Sequence, residues 1–214
     1  MCDKEIKQIR LLLSRRSVEV AKLLADIHWV AGTLQGHCSA GTMIFLETER
    51  LLFRTHEARD ETDFVRMQTD SEVRRYMGGQ GWPLEKAQHR FRTQYLDRPK
   101  RIYGLWATIL KEDDRYIGSC GLRAGGKRGE AHLGYILAKP YWGRGLASEA
   151  AKAFINLAFT KLRLSRLLAD VEQGHVVSQH ILKRFGFKYG GREEIPQSGR
   201  VIFWYELTRA AWRL

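Results

Sequence analysis

The stretch from residue 134 to residue 150 constrains the fold more than any other part of the chain. A strand-like run ends at Leu137, a short loop contains Gly143 and Gly145, and an alanine-rich helical pattern follows. Glycines let such a loop turn tightly and approach a ligand. Amides of a first helical turn have no partner within the helix, and with the helix dipole they favour anions. The sequence therefore predicts a strand, a loop suited to two linked phosphates, and a helix.

The spacing of the two glycines limits which phosphate-binding motif this loop can be. No third glycine follows at the dinucleotide-binding spacing, and no Gly-Lys-Ser or Gly-Lys-Thr run follows as in a P-loop. A Gly-x-Gly turn also occurs where glycine serves only backbone geometry. The surrounding sequence must decide whether this loop binds phosphate or uses its glycines only for backbone geometry.

Apolar patterning on both sides of the loop predicts a mixed sheet with helices on both faces, an α/β (α+β) fold. Glycine pairs and aspartate pairs mark turns between the elements. Strands are expected at 51–54, 103–110, 116–122, 131–137, 166–171 and 201–207, and helices at 60–67, 84–96, 145–162 and 176–185. The glycine loop then joins the fourth strand to the third helix.

Residues 1–42 differ in pattern from the rest of the chain. Apolar residues recur at helical spacing from Ile6 to Ile27, and the small residues from Gly36 to Gly41 predict a linker. We interpret 1–42 as a helical extension and linker ahead of a main domain at 43–214. We favour a helix packed on that domain, or a segment upstream of a start at Met43. Docking on a membrane or partner, and a contact in a homodimer, are the alternatives.

Length and cysteine content place the chain among globular proteins of a reducing compartment. Its 214 residues suffice for one domain with a buried core and a short appendage. No apolar run reaches the roughly 18 residues of a membrane span, and the start lacks the pattern of a secretory signal. The chain has three cysteines, and no two of them form a Cys-x-x-Cys pair. Neither a disulfide framework nor a metal site is therefore expected. We therefore expect a cytoplasmic protein.

The chain is strongly basic. It carries 36 basic and 24 acidic residues, a formal net charge of +12. Such an excess attracts polyanions, for example nucleic acid, the ribosome or phosphorylated cofactors. A solvated basic surface without a dedicated partner explains the excess equally well, so charge alone names no function.

Several motifs in order resemble the GNAT acetyltransferase superfamily, whose loop for the pyrophosphate of acetyl-CoA has the pattern Q/R-x-x-G-x-G/A. Here the pattern reads Trp142-Gly143-Arg144-Gly145-Leu146-Ala147, and tryptophan in its first position resembles the RimJ/RimL-type branch. The resemblance covers about residues 46–208. Further agreement comes from Glu47-Thr48-Glu49-Arg50-Leu51, Ile117-Gly118, Leu133-Gly134-Tyr135 and Leu182-Lys183-Arg184-Phe185-Gly186-Phe187.

The resemblance implies a GNAT fold, with a mixed, mostly antiparallel central sheet and helices on both faces. Its fourth and fifth strands splay apart, and acetyl-CoA is expected to enter the gap between them. The pantetheine arm is expected to pair with the backbone of Ile136, Leu137 and Ala138. The pyrophosphate is expected beside Trp142, on the amides of Gly143, Arg144, Gly145, Leu146 and Ala147.

The resemblance also bears on the acid that would protonate the departing thiolate. Many members place a tyrosine in the late helix for this purpose, but Leu182 stands there. Ser178, which the branch keeps, is then the candidate acid. His175 replaces an asparagine near the pantetheine and remains a candidate contact. A capping or helix-surface role explains Ser178 equally well, and a CoA thiolate can also leave without an acid.

The base that takes the proton of the amine is expected on the fourth strand. His132 occupies the position of the glutamate found in many members, and Glu130 lies two residues earlier on the same face. A third option is the pair Glu193 and Glu194, expected on a loop after the last helix. A lone histidine in a strand is more often structural, so the assignment of His132 depends on its position.

The function implied by the resemblance is transfer of an acetyl group from acetyl-CoA to a primary amine by direct attack in a ternary complex. The acceptor is expected to be a protein N-terminus, such as that of a ribosomal protein, or a small-molecule amine. The net charge of +12 slightly favours an amine on an anionic particle over a free polycation. The alternative is a non-catalytic acyl-CoA-binding or ribosome-associated module that retains the fold. Neither a metal nor a membrane partner is expected.

Overall fold

An eight-stranded sheet organises residues 42–96 and 102–212, the part of the chain that the computed structural model describes. The strand order is β1-β2-β3-β4-β5-β6-β8-β7, and all neighbours are antiparallel except β5 and β6. The strands are β1 Ile44–Glu47, β2 Leu51–Arg54, β3 Gly104–Leu110, β4 Arg115–Ala124, β5 Glu130–Leu137, β6 Arg166–Glu172, β7 Lys188–Ile195 and β8 Arg200–Thr208.

Helices pack on both faces of this sheet. Side chains of α1, α2 and α3 pack with Ala107, Ile109 and Ile136 on one face, and side chains of α4 and α5 pack with Leu133 and Leu137 on the other. Short 3₁₀ turns occupy Ala58–Asp60 and Lys139–Tyr141. The helices are α1 Glu61–Thr69, α2 Ser71–Arg74, α3 Leu84–Arg90, continued by a π-helical turn at Phe91–Leu96, α4 Leu146–Asn156, continued by one at Leu157–Lys161, and α5 Val176–Arg184.

The strands β5 and β6 part soon after they meet. Their parallel register consists of three pairs, Glu130 with Arg166, Ala131 with Leu167 and His132 with Leu168. Beyond His132, β5 stays paired with β4 and β6 stays paired with β8. A gap therefore opens toward the carboxyl ends of both strands. The mixed sheet, the helices on both faces and the separation of these two strands confirm the predicted fold class.

Two strands are absent from the sequence prediction, the short β1 and β7. The residues after α5 form β7, an edge strand paired with β8, whereas the sequence predicts a loop at Glu193 and Glu194. That prediction is wrong because β7 is exposed along most of its length and lacks an apolar alternation. Pairing with β8, and not burial, makes this segment a strand.

Three further predictions concern the N-terminal segment, a membrane span and a metal site. The proposed helix and linker of residues 1–42 lie outside the described residues, except for Thr42. Among the residues described, none of the helices has both the length and the apolar character to span a bilayer. Within 42–96 and 102–212, histidine, cysteine and acidic side chains form no group of three that could hold a metal ion. Cys120 lies in the core, where burial raises the pKa of its thiol.

Candidate active site

The loop between β5 and α4 has the backbone conformation that only glycine adopts readily. Gly143 and Gly145 have φ angles of 72° and 76°, in the left-handed region. Gly145 is the N-cap of α4, so the amides of the following turn lack helical partners. No atom lies within 4 Å of where a Cβ would stand at Gly143. The loop therefore has two left-handed glycines followed by helix amides without helical partners, and its binding of a pyrophosphate stays a prediction.

Contacts from the turn between β1 and β2 hold this loop. Glu149 on α4 accepts hydrogen bonds from the Thr48 hydroxyl at 2.6 Å and from Nε of Arg50 at 2.7 Å. Arg50 also donates to the carbonyl of Arg144, at 2.9 Å. Burial opposes ionisation of Glu149, but the bonds from Thr48 and Arg50 outweigh it and lower the pKa of the carboxyl. A charged Glu149 thus ties the glycine loop to the far part of the sheet.

The edge of β5 that faces the gap offers unpaired backbone groups. The amide of Ala138 donates to the Ile117 carbonyl on β4, at 2.8 Å. Because an antiparallel ladder alternates, Ile136 and Ala138 direct their backbone toward β4, and Tyr135 and Leu137 direct theirs toward the gap. The indole of Trp142 donates to the Leu137 carbonyl at 2.8 Å.

These assignments leave the amides of Tyr135 and Leu137, and the carbonyl of Tyr135, facing the gap. An extended ligand could pair with them as a further strand would. The residues predicted for this contact, 136–138, therefore divide by direction, with Leu137 toward the gap and its two neighbours toward β4. Tyr135 joins the candidate contacts, and the period-two alternation of a strand is the signal that could have identified it.

His132 lies where β5 and β6 part. Its Nδ1 is 3.0 Å from a carboxylate oxygen of Asp170 on β6, and Arg123 lies 3.7 Å from the same oxygen. A proton on Nδ1 that is donated to Asp170 leaves the Nε2 lone pair available, which is the arrangement of an oriented general base. The sequence prediction did not include Asp170. Asp170 lies on the same face, two residues beyond the partner of His132, and this register comes from the tertiary fold, so no local sequence signal indicates it.

Glu130 is engaged elsewhere. Arg166 on β6 donates to its carboxylate, and Arg166 also pairs with Glu206 at 2.9 Å. The hydrogen bond with Glu130, followed by that with Glu206, raises the pKa of the Arg166 guanidinium. This network lies at the closed end of the gap. The structure thus gives Glu130 an ion-pairing role, and it leaves His132 as the residue of the two that lies at the opening.

The structure does not bring Glu193 and Glu194 to the gap. Both belong to β7, and β8 and β6 separate that strand from β5. Strands lie about 4.8 Å apart, so three intervals place β7 roughly 14 Å from β5. The alternation of β7 also directs the two side chains to opposite faces of the sheet.

A hydroxyl pair bridges the gap on the α4 and α5 face. The Tyr135 hydroxyl lies 2.9 Å from Oγ of Ser178, the third residue of α5. Ser178 is only 7% exposed, and burial raises the pKa of Tyr135 to about 12. Tyr135 therefore keeps its proton near neutral pH and can share it with Ser178. The sequence motif contained Tyr135, but nothing local showed that its hydroxyl would meet α5.

His175 and Leu182 complete this side. The Nδ1 of His175 accepts a hydrogen bond from the Ser178 amide at 3.3 Å and so caps α5. Burial lowers the pKa of His175, which keeps the ring neutral and able to accept. Leu182 lies in the core at 1% exposure. The position of the usual tyrosine therefore has no proton to give, and the hydroxyls of Tyr135 and Ser178 are the proton donors identified on this side.

Known proteins are similar to this chain in sequence. The sequence family described as an acetyltransferase (GNAT) domain matches residues 50–188. An uncharacterized N-acetyltransferase of Bacillus licheniformis, p20, is 33% identical over 162 residues, which is 73% of this chain and 90% of that protein.

Two solved structures extend the likeness of fold. An acetyltransferase (GNAT family) from Bacillus anthracis has a TM-score of 0.69 at 21% identity, over 78% of this chain and 99% of that one. A spermidine N-acetyltransferase from Vibrio cholerae, solved with CoA and spermine, has a TM-score of 0.64 at 15% identity, over 77% and 98%. The fold is that of an acetyltransferase. The chain belongs to the GNAT family.

Proposed function

We propose that this protein is an acetyl-CoA-dependent N-acetyltransferase that acts on a primary amine in a ternary complex. The observation that carries the proposal is the continuity of the open β5 edge with the free amides at the start of α4. An extended ligand that ends in a pyrophosphate matches both features, because strand-like hydrogen bonds lead directly to an anion site. The relative p20, named as an N-acetyltransferase, supports the same activity.

The residues present fit acetyl-CoA. The bare backbone at Gly143 and the left-handed Gly145 leave room for a pyrophosphate among the amides of residues 143–147. Arg144 adds a cation beside them, and Trp142 closes the end of β5. Leu137 and Tyr135 offer the open backbone groups. We assign to the cosubstrate the open backbone of Tyr135 and Leu137, together with their neighbours Ile136 and Ala138, whose own backbone groups are directed toward β4. The further residues assigned to it are Trp142, Gly143, Arg144, Gly145, Leu146, Ala147, His175 and Ser178.

Acetyl-CoA, when bound, supplies a thioester carbonyl for the amine to attack. His132 takes the proton of the amine at Nε2, directly or through one water, while Asp170 holds the imidazole in place. The Leu137 amide faces the gap and is suited to donate to the carbonyl oxygen as charge develops on it. A carbon–nitrogen bond forms, the carbon–sulfur bond breaks, and its electron pair goes to sulfur.

The leaving thiolate needs at most one proton. Ser178 is the proposed donor, and Tyr135, at 2.9 Å, is a positioning residue that replaces the proton on Ser178. Most of the acceleration comes from holding amine and thioester together.

We propose a protein N-terminus, such as that of a ribosomal protein, or a small-molecule amine as acceptor, and the RimJ/RimL-type branch as the subgroup. The run from Tyr141 to Ala150 supports the branch. The spermidine acetyltransferase shares 15% of its residues, so that likeness concerns the fold and does not extend to its acceptor. The net charge of +12 also disfavours a polycation.

Two measurements on the full chain test this function. Titration calorimetry with acetyl-CoA should show saturable binding, and release of free thiol should depend on an added amine. The panel should include N-terminal peptides, intact ribosomes and small amines. Binding without thiol release for every amine would support a non-catalytic acyl-CoA-binding module instead.

A further inference from the structure

Three cations gather around one indole on the face of the sheet that carries α1, α2 and α3. The Arg74 guanidinium lies 4.2 Å from the ring centroid of Trp82, that of Arg90 lies 5.2 Å from it, and the Lys86 ammonium lies 5.5 Å from it. We call these four residues the Trp82 cluster. Cation–π attraction holds the charges in place, but it does not neutralise them.

The charge of the Trp82 cluster is not balanced locally. In the described ranges 42–96 and 102–212, no carboxylate lies within ion-pair distance of its three cations. Arg74 donates to Gln68 and to the Met77 carbonyl, which are both neutral. Burial, followed by the repulsion of other arginines, lowers the pKa of its guanidinium. Concentrating like charges in this way is unfavourable unless an anion joins them.

A polar atom in the cluster also lacks a partner. Arg74 is only 7% exposed, and its Nε has no hydrogen-bond acceptor. Leaving a buried donor unpaired costs about 1–3 kcal/mol, more for a charged group. Lys86 is exposed and Arg90 half-buried, so the cluster runs from the interior to solvent. A ligand can therefore reach the cluster from the side of Lys86 and Arg90.

The cluster lies at the mouth of the gap between β5 and β6. Glu72, two residues before Arg74, contacts Lys139, which follows β5. Tyr76, two residues after Arg74, packs against His175, which follows β6, with ring centroids 4.4 Å apart and the rings tilted by 31°. Residues 72–76 therefore span the carboxyl ends of both strands. Trp82 also packs on the same side-chain layer as Ile136 and Ala138. His132 and Ile136 share that face of β5.

We propose that the Trp82 cluster is an anion-binding subsite for the acceptor, and that the acceptor amine carries a carboxylate or a phosphate. This inference rests on the proposed function, because it assigns to that reaction a class of amine. The cations hold the anionic group of the acceptor, and the amine then extends toward the gap and His132. A free polyamine, which carries only positive charge, is excluded from such a site by repulsion.

Binding is tested first, without turnover. Inorganic phosphate and acetate are titrated into the full chain at constant ionic strength, and the indole N–H signals are followed by NMR, with Trp82→Phe identifying the Trp82 signal. We expect a saturable shift of that signal. The double variant Lys86→Gln/Arg90→Gln should abolish it, whereas Arg92→Gln should keep it. Arg92 lies on the adjoining turn and pairs with Glu61 at 2.8 Å, so this control removes one positive charge outside the cluster, and the single variants Lys86→Gln and Arg90→Gln are its matched counterparts.

Selectivity is tested next with matched acceptors. ω-Amino acids of increasing chain length, from β-alanine to 8-aminooctanoate, are each compared with the alkylamine of equal length by free-thiol release, because four strand residues, roughly 13 Å, separate His132 from Ile136. We expect kcat/KM to be at least tenfold higher for the anionic member of a pair. The double variant should bring the ratio close to one, and Arg92→Gln should leave the ratio unchanged.

The outcomes separate the two proposals. Equal rates within each pair, or a Trp82 signal that does not saturate, would overturn the subsite while leaving the acetyltransferase proposal intact. Saturable binding that depends on Lys86 and Arg90, without turnover of any amine, would support the subsite and count against the proposed reaction. Unfolding curves of both variants would show that the folded state is retained, since both positions of the double variant reach solvent.

Discussion

The two binding sites proposed beside the β5–β6 gap are built from different parts of the protein. The site proposed on the α4 side consists of backbone, namely Gly143, Gly145 and the first amides of the helix. The site proposed on the α1–α3 side consists of charged and aromatic side chains from segments that are distant in sequence. A backbone site needs particular glycines in one short run, so a single motif predicts it. A side-chain site depends on which distant residues the fold brings together, and no local pattern contains that information.

The largest effect is expected where the two sides meet, at His132. His132→Ala should lower kcat by about a hundredfold or more with acetyl-CoA affinity almost unchanged, because a general base is lost. His132→Glu should recover part of the rate, and Asp170→Asn should cause a smaller loss by releasing the ring. Steady-state kinetics on folded variants measure this, with the exposed His180→Ala as control. A kcat within threefold of wild type for His132→Ala would remove this residue from the chemistry.

The backbone side is tested by placing a carboxylate in the glycine loop. Gly145→Asp should weaken acetyl-CoA binding at least tenfold, or about 1.4 kcal/mol, because a side chain and a negative charge would occupy the phosphate position. The added Cβ would lie 3.5 Å from the Arg50 guanidinium, an ordinary van der Waals distance, so the fold should survive.

Gly199→Asp is the matched control for that substitution. Gly199 also has a left-handed φ, 62°, and open space around it, but it lies in the turn between β7 and β8. Calorimetry should show that Gly199→Asp binds acetyl-CoA with an affinity close to that of the wild type. Equal losses at both positions would mean that backbone strain and not phosphate contact explains the result, and the contrast between the two sides would fail.

A moderate effect is expected from the hydroxyl pair on the α5 side. Ser178→Ala should lower kcat on the order of tenfold with little change in KM, because a thiolate is already a fair leaving group. Tyr135→Phe should cost less, since Ser178 would keep its own proton. Tyr189→Phe, at the exposed edge strand, is the control. If Ser178 only caps or covers α5, both variants will keep the wild-type kcat.

A smaller effect concerns stability and pH. Burial lowers the pKa of His175 in the folded state below the ordinary 6.5, so the unfolded chain binds its proton first as pH falls. Stability is then lost as pH falls through about 6.5 toward the folded pKa, and a protonated ring also cannot accept the Ser178 amide. His175→Asn keeps a cap without this titration. Its free energy of unfolding in urea, relative to wild type, should rise from pH 8 to pH 5; a constant difference would contradict the assignment.

The smallest effect is expected from removing the N-terminal segment. A chain that starts at Met43 should bind acetyl-CoA with the affinity of the full chain, because the first described strand begins at Ile44 and the loop contacts come from residues 48 and 50. Calorimetry and size-exclusion chromatography measure this. Aggregation or loss of binding would place residues 1–42 in the core or in a dimer contact, and the proposed domain boundary would be wrong.

The sequence predicted those parts of the fold that have local causes. The glycine loop is one, and the alternation that makes β5 and β6 strands is another. It missed β7, because exposed charged residues become a strand only by pairing with β8. It missed Asp170 as well, since the register of a parallel pair is set by the tertiary fold. The meeting of Arg74 with Trp82, and of Tyr135 with Ser178, also depends on long-range packing.

The tether from Arg50 and Thr48 to Glu149 has a consequence for the order of events in a reaction cycle. It fixes the glycine loop in the free protein, so a ligand that docks there gives up its own freedom without first having to organise the chain. Such a ligand can bind whatever the state of the Trp82 cluster. The Trp82 cluster, by contrast, holds excess positive charge that only a bound anion relieves. We therefore expect that, in the proposed reaction, the cosubstrate binds first and the amine second.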